Sequence, residues 1–269
     1  MRLFHYVLNV TPWFKGKLRL AKFLLRDKSR ARTFSTKSGL VISTPNLSEN
    51  VSLEIFVYGI YEKETIDYMV QSIPKNGTFI DIGANIGAIC LEVANKRKDV
   101  KVYAFEASPN VFKFLEINKN QNELENLTIY NLAVHENENS EMEFYSPSDQ
   151  NGKGSFSAVF TSDSEKVITK NLDIFIEENQ LKPDLIKVDV EGYEMTVFKS
   201  MSKFLSKNEN CEIFFEFVDW AETAAHYVCG SAQDYLLKKG YRLYKFPEIE
   251  KVFQVQLKGS NNLIAKKER

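Results

Sequence analysis

The segment Thr78-Phe79-Ile80-Asp81-Ile82-Gly83-Ala84-Asn85-Ile86-Gly87 constrains the fold of this chain more than any other. Five strand-forming residues run into a glycine turn. Beyond it Ile86, Ile89, Cys90, Val93 and Ala94 recur at helical spacing, which predicts a helix over Ile86–Asn95. A strand that stops in a glycine turn and hands over to a helix opens a β-α-β unit. Gly83 permits a turn in which a side chain would clash, and Gly87 lets the helix lie close to the sheet.

A dinucleotide site has the same layout, but its second glycine lets the backbone approach a pyrophosphate. Asn85 holds that position here, and Asp81 puts an anion at the strand end. Both departures suit S-adenosylmethionine, which carries an ammonium, a carboxylate and a sulfonium but no phosphate. Asp81 is the expected anchor for the ammonium, and the helix N-terminus for the carboxylate. Glu106, beside Ala107, ends the next strand and suits a pair of ribose hydroxyls. That spacing serves either cofactor, and a plain helix cap is the competing use of Glu106. A dehydrogenase is disfavoured by Asn85 and Asp81.

The rest of the chain continues the alternation. Strands are expected at Val100–Phe105, Leu127–Asn131, Leu185–Val190, Glu212–Val218, Tyr241–Phe246 and Leu263–Lys266. Helices are expected from Pro109, over Leu172–Asn179, over Glu194–Leu205 and over Ala232–Lys239, the last closed by Gly240. Weaker strands at Met142–Tyr145, Phe156–Phe160 and Lys166–Thr169 surround a polar loop, Ser146–Ser155. Ahead of the glycine loop, residues 34–60 read as short strands with turns at Ser38-Gly39 and Pro45-Asn46, followed by a helix over Glu62–Ser72. The pattern specifies an α/β fold: a mostly parallel sheet, helices on both faces, and ligands at the carboxyl ends of the strands.

A second concentration of charge lies in Leu185-Ile186-Lys187-Val188-Asp189-Val190-Glu191-Gly192-Tyr193-Glu194. Strand alternation puts Lys187 and Asp189 on one face. Carboxylates at the ligand edge of a sheet can take a proton from a reacting hydroxyl or help hold a divalent metal that polarises it. The competing use is structural: Asp189 and Glu191 pair with Lys187 and cap the next helix. Glu216 stands among Phe214, Phe215 and Phe217, and His226 follows beyond the strand end. Asp189, Glu191, Glu216 and His226 are therefore the catalytic candidates; no residue is assigned to a metal.

Composition bounds the reading. At 269 residues, 43% hydrophobic and 26% charged, the chain suits one large domain with a buried core. Cys90, Cys211 and Cys229 are too few and too scattered for a disulfide framework or a zinc site and read as buried thiols of a reducing compartment. No apolar run reaches membrane-spanning length, and no cleavable signal pattern opens the chain. Residues 1–37 hold ten Lys/Arg against Asp27 alone, which leaves 25 basic and 35 acidic residues in the remainder. The acidic body is a poor nucleic-acid partner. Within the basic arm, Leu18–Leu25 reads as an amphipathic helix, either packed on the body or touching a membrane surface or other anionic partner. The expected location is the cytoplasm, with such peripheral contact.

Taken together, the motifs resemble those of the FkbM methyltransferases: Asp81–Gly87, Phe105–Pro109, Asn131–Val134 and Ile186–Glu194. The similarity runs from about Tyr61 to Lys266. It implies a class I methyltransferase fold, with a seven-stranded sheet whose last strand is antiparallel, S-adenosylmethionine as donor, and O-methylation of hydroxyls on glycans, sugar intermediates or polyketide-type products. By that match Glu62, Asp81, Gly83, Asn85, Gly87, Glu106, Ala107, Asn131, Ala133 and Asp189 are expected to contact the cofactor, with Asn131 and Ala133 flanking the adenine. A glycan or sugar acceptor in polysaccharide or glycolipid synthesis is the leading expectation; another hydroxylated small molecule is the alternative, and a non-catalytic binding protein of the same fold the more distant one. Residues 1–60 are expected to form the basic arm and short strands, and residues 61–269 the methyltransferase domain.

Overall fold

The computed structural model describes residues 2–267, apart from 13, 26, 147–153, 155, 157–160, 208–209 and 253–256, and describes residues 2–4 by their backbone. Most of the polar loop Ser146–Ser155, and the strand expected at Phe156–Phe160 beyond its first residue, lie outside the described residues.

The central sheet contains β1 (Thr78–Ile82), β2 (Lys101–Phe105), β3 (Leu127–Tyr130), β4 (Leu185–Val188), β5 (Glu212–Val218), β6 (Arg242–Phe246) and β7 (Ser260–Lys266). Their order is β3-β2-β1-β4-β5-β7-β6, and a two-residue strand, Glu250–Lys251, adds an eighth member beside β6. Strands β1 to β5 pair in parallel; β7 is antiparallel to both β5 and β6. This is the sheet that the resemblance implies, with one short edge strand more.

Alternation along the strands divides the core in two. Phe79, Val102, Ala104, Leu185, Phe214 and Ile264 face one cluster. Ile80, Ile82, Phe105, Ile186, Val188 and Phe215 face the other. Strands buried on both faces explain why β1 and β4 read as nearly continuous apolar runs. Asp81 and Lys187 interrupt those runs as direct neighbours in the β1–β4 register.

The N-terminal arm completes the first cluster. Helices Arg2–Val10 and Lys17–Leu24, and the hairpin Arg32–Ser35/Val41–Thr44, contribute Leu8, Ala21, Leu25, Phe34 and Ile42 to it. The basic helix lies where periodicity put it and packs through Lys17 and Ala21. Among the described residues no helix is long and apolar enough to cross a membrane.

Three elements differ from expectation. Asn50–Tyr58 is a helix rather than a strand. Its β-branched and aromatic residues suggest a strand, but burial of Leu53, Ile55, Phe56 and Val57 erases any readable period. The ends decide: the Glu49 carboxylate accepts the Val51 and Ser52 N–H groups, each at 2.9 Å, and Gly59 closes the helix at φ +72°. After the glycine loop the helix begins at Cys90, not Ile86, because Asn85 (φ +53°) and Gly87 (φ +93°) hold left-handed conformations no α-helix accommodates. The helix expected over Glu194–Leu205 is two, Glu194–Ser200 and Ser202–Lys207. Asp173 accepts the Lys203 and Phe204 N–H groups at 2.8 Å each and caps the second.

Candidate active site

A cavity of about 460 Å³ opens at the carboxyl ends of β1, β2, β4 and β5, where the strand order reverses between β1 and β4. Ligands of open α/β sheets bind at such a switch point. The volume lies within the range of small-molecule sites.

Gly83 sets the base of the cavity. A Cβ at this residue (φ +79°) would lie 1.8 Å from the Asp189 carbonyl oxygen. Only glycine therefore lets the β1 and β4 loops touch. Asn85 holds the turn: its side-chain oxygen accepts the Ile86 N–H at 2.7 Å, and its own N–H donates to the Glu106 carboxylate at 2.9 Å. The other Glu106 oxygen accepts the Ser108 N–H at 2.9 Å. Burial pushes the Glu106 carboxyl up to about 7, against the pull of these two N–H groups. Ser108, not Glu106, caps the helix Pro109–Gln121.

One wall is apolar, formed by Ala107, Leu132, Ala133, Val134, Phe144 and Phe156. Ala133 and Phe144 come from a small three-stranded sheet, Ala133–Val134, Glu141–Tyr145 and Ser164–Lys170, beside the mouth. Phe144 and Phe156 meet edge to face at 5.3 Å.

The opposite end is acidic. Lys187 Nζ lies 3.2 Å from Asp81 and 3.4 Å from Asp189. Burial alone would lower the Lys187 pKa; the two carboxylates outweigh it and raise it, so the ammonium stays charged. Glu62 and Glu216 line the same end. Burial, with the Asp189 charge, pushes Glu216 up to about 7, while the Ser260 hydroxyl, donating at 2.7 Å, opposes the rise. Among the described residues no Lys or Arg forms an ion pair with Glu216. Asp189, Glu191 and Glu216 each offer an oxygen, all within 4.8 Å of one another.

Residues 81–243, more than half of the chain, match the family described as the methyltransferase FkbM domain. The chain belongs to the FkbM methyltransferase family. With that family and this strand order, the sheet is of the class I methyltransferase type. A curated relative, the hexuronic acid methyltransferase AglP of Haloferax volcanii, is 30% identical over 149 residues. That match takes in 54% of this chain and 58% of the relative, so the chain spans little more than half of it. Solved structures with a similar course include a precorrin-6y C5,15-methyltransferase of Geobacter metallireducens (14% identity, TM-score 0.45, 78% of this chain and 92% of the other). Another is a TehB-like SAM-dependent methyltransferase of Corynebacterium glutamicum (10% identity, TM-score 0.44, 77% and 89%).

The FkbM motifs converge on the cavity. Glu62, Asp81, Gly83, Asn85, Glu106, Ala107, Ala133, Asp189, Glu191 and Glu216 all line it. Three residues expected there do not. Gly87 lies behind the loop, where a Cβ would sit 2.5 Å from Leu91 and 2.8 Å from Leu115. Asn131 lies beneath the wall and spends its amide on the Glu106 and Ala107 carbonyls, at 2.9 Å each. His226 is exposed beyond the helix Asp219–Ala224, so it is no base for this cavity. Glu194 caps the loop from behind, accepting the Val190 and Gly192 N–H groups, and burial pushes it up to about 8. Of the lining residues that sequence reasoning missed, Phe144 and Phe156 come from a segment without clear periodicity. Asn262 reaches the site only because β7 pairs it with Glu216, a relation no local pattern encodes.

Proposed function

We propose that this protein transfers the methyl group of S-adenosylmethionine to a hydroxyl of a sugar or glycan. The observation that carries the reading is the acidic end of the cavity, where Glu216 lines the wall beside the Lys187-paired Asp189 and, among the described residues, forms no ion pair with a Lys or Arg. The cavity fits the donor. Its apolar wall suits adenine, and Glu106 retains acceptor capacity for ribose hydroxyls. Asp81 is buried and paired with Lys187 at 3.2 Å; with Glu62, which lines the same end, it suits the ammonium. Ala88 and Ile89, at the N-terminus of the helix that begins at Cys90, line the cavity and suit the carboxylate.

Bound there, the donor supplies an electrophilic methyl group on a sulfonium. The chain's own part is to place the acceptor oxygen in line and accept its proton. Lys187 already engages Asp189 at 3.4 Å. Glu216, with a proton affinity near neutrality, is the better matched proton acceptor. Asp189, Glu191 and Glu216 are also the residues that would hold a divalent cation, which would polarise the hydroxyl.

The family and the relative AglP, which by name acts on a hexuronic acid, support a sugar acceptor. A hexuronic acid offers both hydroxyls and a carboxylate. A carboxylate has no proton to lose and is repelled by this acidic end, so the hydroxyl is the better match. A polyketide-type hydroxylated product is the second acceptor class. Nucleic acid is disfavoured by the acidic body, and the basic arm of residues 1–60 suits an anionic surface outside the catalytic domain, which we place at residues 61–269. The test supplies isotope-labelled donor with hexuronate-containing glycans, with neutral glycans and with a hydroxylated polyketide, each with and without EDTA. An alkali-stable methyl ether on a glycan is expected. An alkali-labile methyl ester, or transfer to the polyketide alone, overturns the acceptor assignment.

A further inference from the structure

We propose that the N-terminal arm is a docking surface for an anionic lipid bilayer and holds the mouth of the cavity toward it. The two helices of the arm are anchored by one face each. In Arg2–Val10, Leu8 is buried, the His5 ring nitrogens lie 2.9 Å and 3.1 Å from the Phe56 and Ser35 carbonyls, and Asn9 donates to the Phe56 carbonyl at 3.1 Å. In Lys17–Leu24, Ala21 is buried, and Lys17 donates to the Thr11 carbonyl at 2.7 Å while lying over the Tyr58 ring. These contacts fix which faces are left outside.

The outward faces are apolar. Tyr6, Val7 and Val10 are exposed on the first helix, Leu20, Phe23 and Leu24 on the second, and Phe14 between them. Phe23 is 84% exposed. Of the 13 large hydrophobic side chains exposed among the described residues, these seven fall within residues 6–24. Scattered exposed hydrophobics need no explanation, but a concentration of this kind marks an interaction surface. Lys15 and Arg19 are exposed among them, and residues 1–37 hold ten Lys/Arg and one acid. An amphipathic helix with bulky apolar residues and basic neighbours lies in the plane of an anionic membrane surface.

Charge selects the bilayer over a second copy of the chain. A two-fold dimer through this face would press one basic arm against another, whereas anionic headgroups complement it. The arm also borders the cavity. Lys22 on the second helix donates to the Asn50 side chain at 3.1 Å, and both residues line the cavity. Docking thus brings the site to an acceptor held at a lipid surface. That consequence rests on the proposed methyl transfer; the docking itself does not.

Sedimentation of the full chain with vesicles tests the docking without donor or acceptor. Retention by phosphatidylcholine vesicles containing phosphatidylglycerol should exceed that by phosphatidylcholine alone by about tenfold or more, from the charge of several Lys/Arg near the surface. Phe23→Ser with Leu20→Ser should weaken anionic binding by about tenfold or more. Lys15→Glu with Arg19→Glu should remove the preference for anionic lipid. Both double variants alter exposed side chains and should keep the wild-type urea midpoint. Failure to bind either vesicle, or equal retention of wild type and variants, overturns the proposal. So does a wild-type dimer in light scattering that Phe23→Ser with Leu20→Ser converts to monomer.

Discussion

Lys187→Met tests whether the buried charge system at β1 and β4 is organised as described. Methionine keeps the unbranched stem and removes the ammonium that lies 3.2 Å from Asp81 and 3.4 Å from Asp189. Asp189 is about one-third exposed, so water screens its part of the loss. Asp81 is fully buried and cannot remain a bare anion there; it takes up a proton instead. The free energy of protonating an aspartate with an ordinary value of 3.8 limits the damage to about 4 kcal/mol at pH 7 and about 2 kcal/mol at pH 5, at about 1.36 kcal/mol per pH unit. The sign follows from linkage: Asp81 in the variant has a folded pKa above its unfolded one, so stability is retained below about pH 4 and lost as pH rises. Urea unfolding of wild type and variant at pH 5, 6 and 7 measures the difference; the contribution of Glu194 is carried by both proteins, whereas Glu106 and Glu216, which the Lys187 charge lowers, rise further in the variant and add a loss of the same sign. Lys187→Met with Asp81→Asn should recover most of the loss and its pH dependence. A loss below about 1 kcal/mol that does not vary with pH, or a double variant no better than the single, refutes this reasoning.

Three further outcomes follow from the site. Glu216→Gln should lower methyl transfer by about 100-fold or more while leaving the affinity for S-adenosylhomocysteine within about twofold. It should also remove an ascending limb near pH 7 in the rate profile, since the carboxylate acts as base only above its value of about 7. Gly83→Ala should unfold the chain at lower urea and abolish donor binding in a thermal-shift assay, because its Cβ meets the Asp189 carbonyl at 1.8 Å. Asn131→Ala should destabilise the protein by about 2 kcal/mol in urea unfolding, from two lost hydrogen bonds to the partly buried Glu106 and Ala107 carbonyls, and weaken donor affinity in calorimetry without removing any donor contact.

The sequence shows most clearly what depends on neighbouring residues. Asp81, Gly83, Asn85 and Glu106 stand where strands end and loops turn, and their types and spacing require that placement. Alternation in β4 put Lys187 and Asp189 on one face, and they form an ion pair. Legibility failed where distant packing decides. Asn50–Tyr58 has strand-like composition, and its capping by Glu49 and Gly59 outweighs that. Gly87 and Asn131 belong to the motifs but support the site from behind, a distinction that depends on Leu91, Leu115 and the carbonyls of Glu106 and Ala107. His226 has a suitable residue type and the wrong location, because the helix Asp219–Ala224 carries the chain away from the cavity. The Lys187 bridge also alters the reading of Asp81, whose charge is met by a buried lysine 3.2 Å away.

The central claim is that this cavity holds S-adenosylmethionine. Calorimetric titration of the full chain with S-adenosylmethionine, S-adenosylhomocysteine and NAD, repeated with Glu106→Ala, tests it most directly. The account predicts one site per chain for the first two ligands, at least about tenfold weaker in the variant from the loss of charged hydrogen bonds, and no uptake of NAD. Binding of NAD without S-adenosylmethionine, or donor binding indifferent to Glu106, would contradict it.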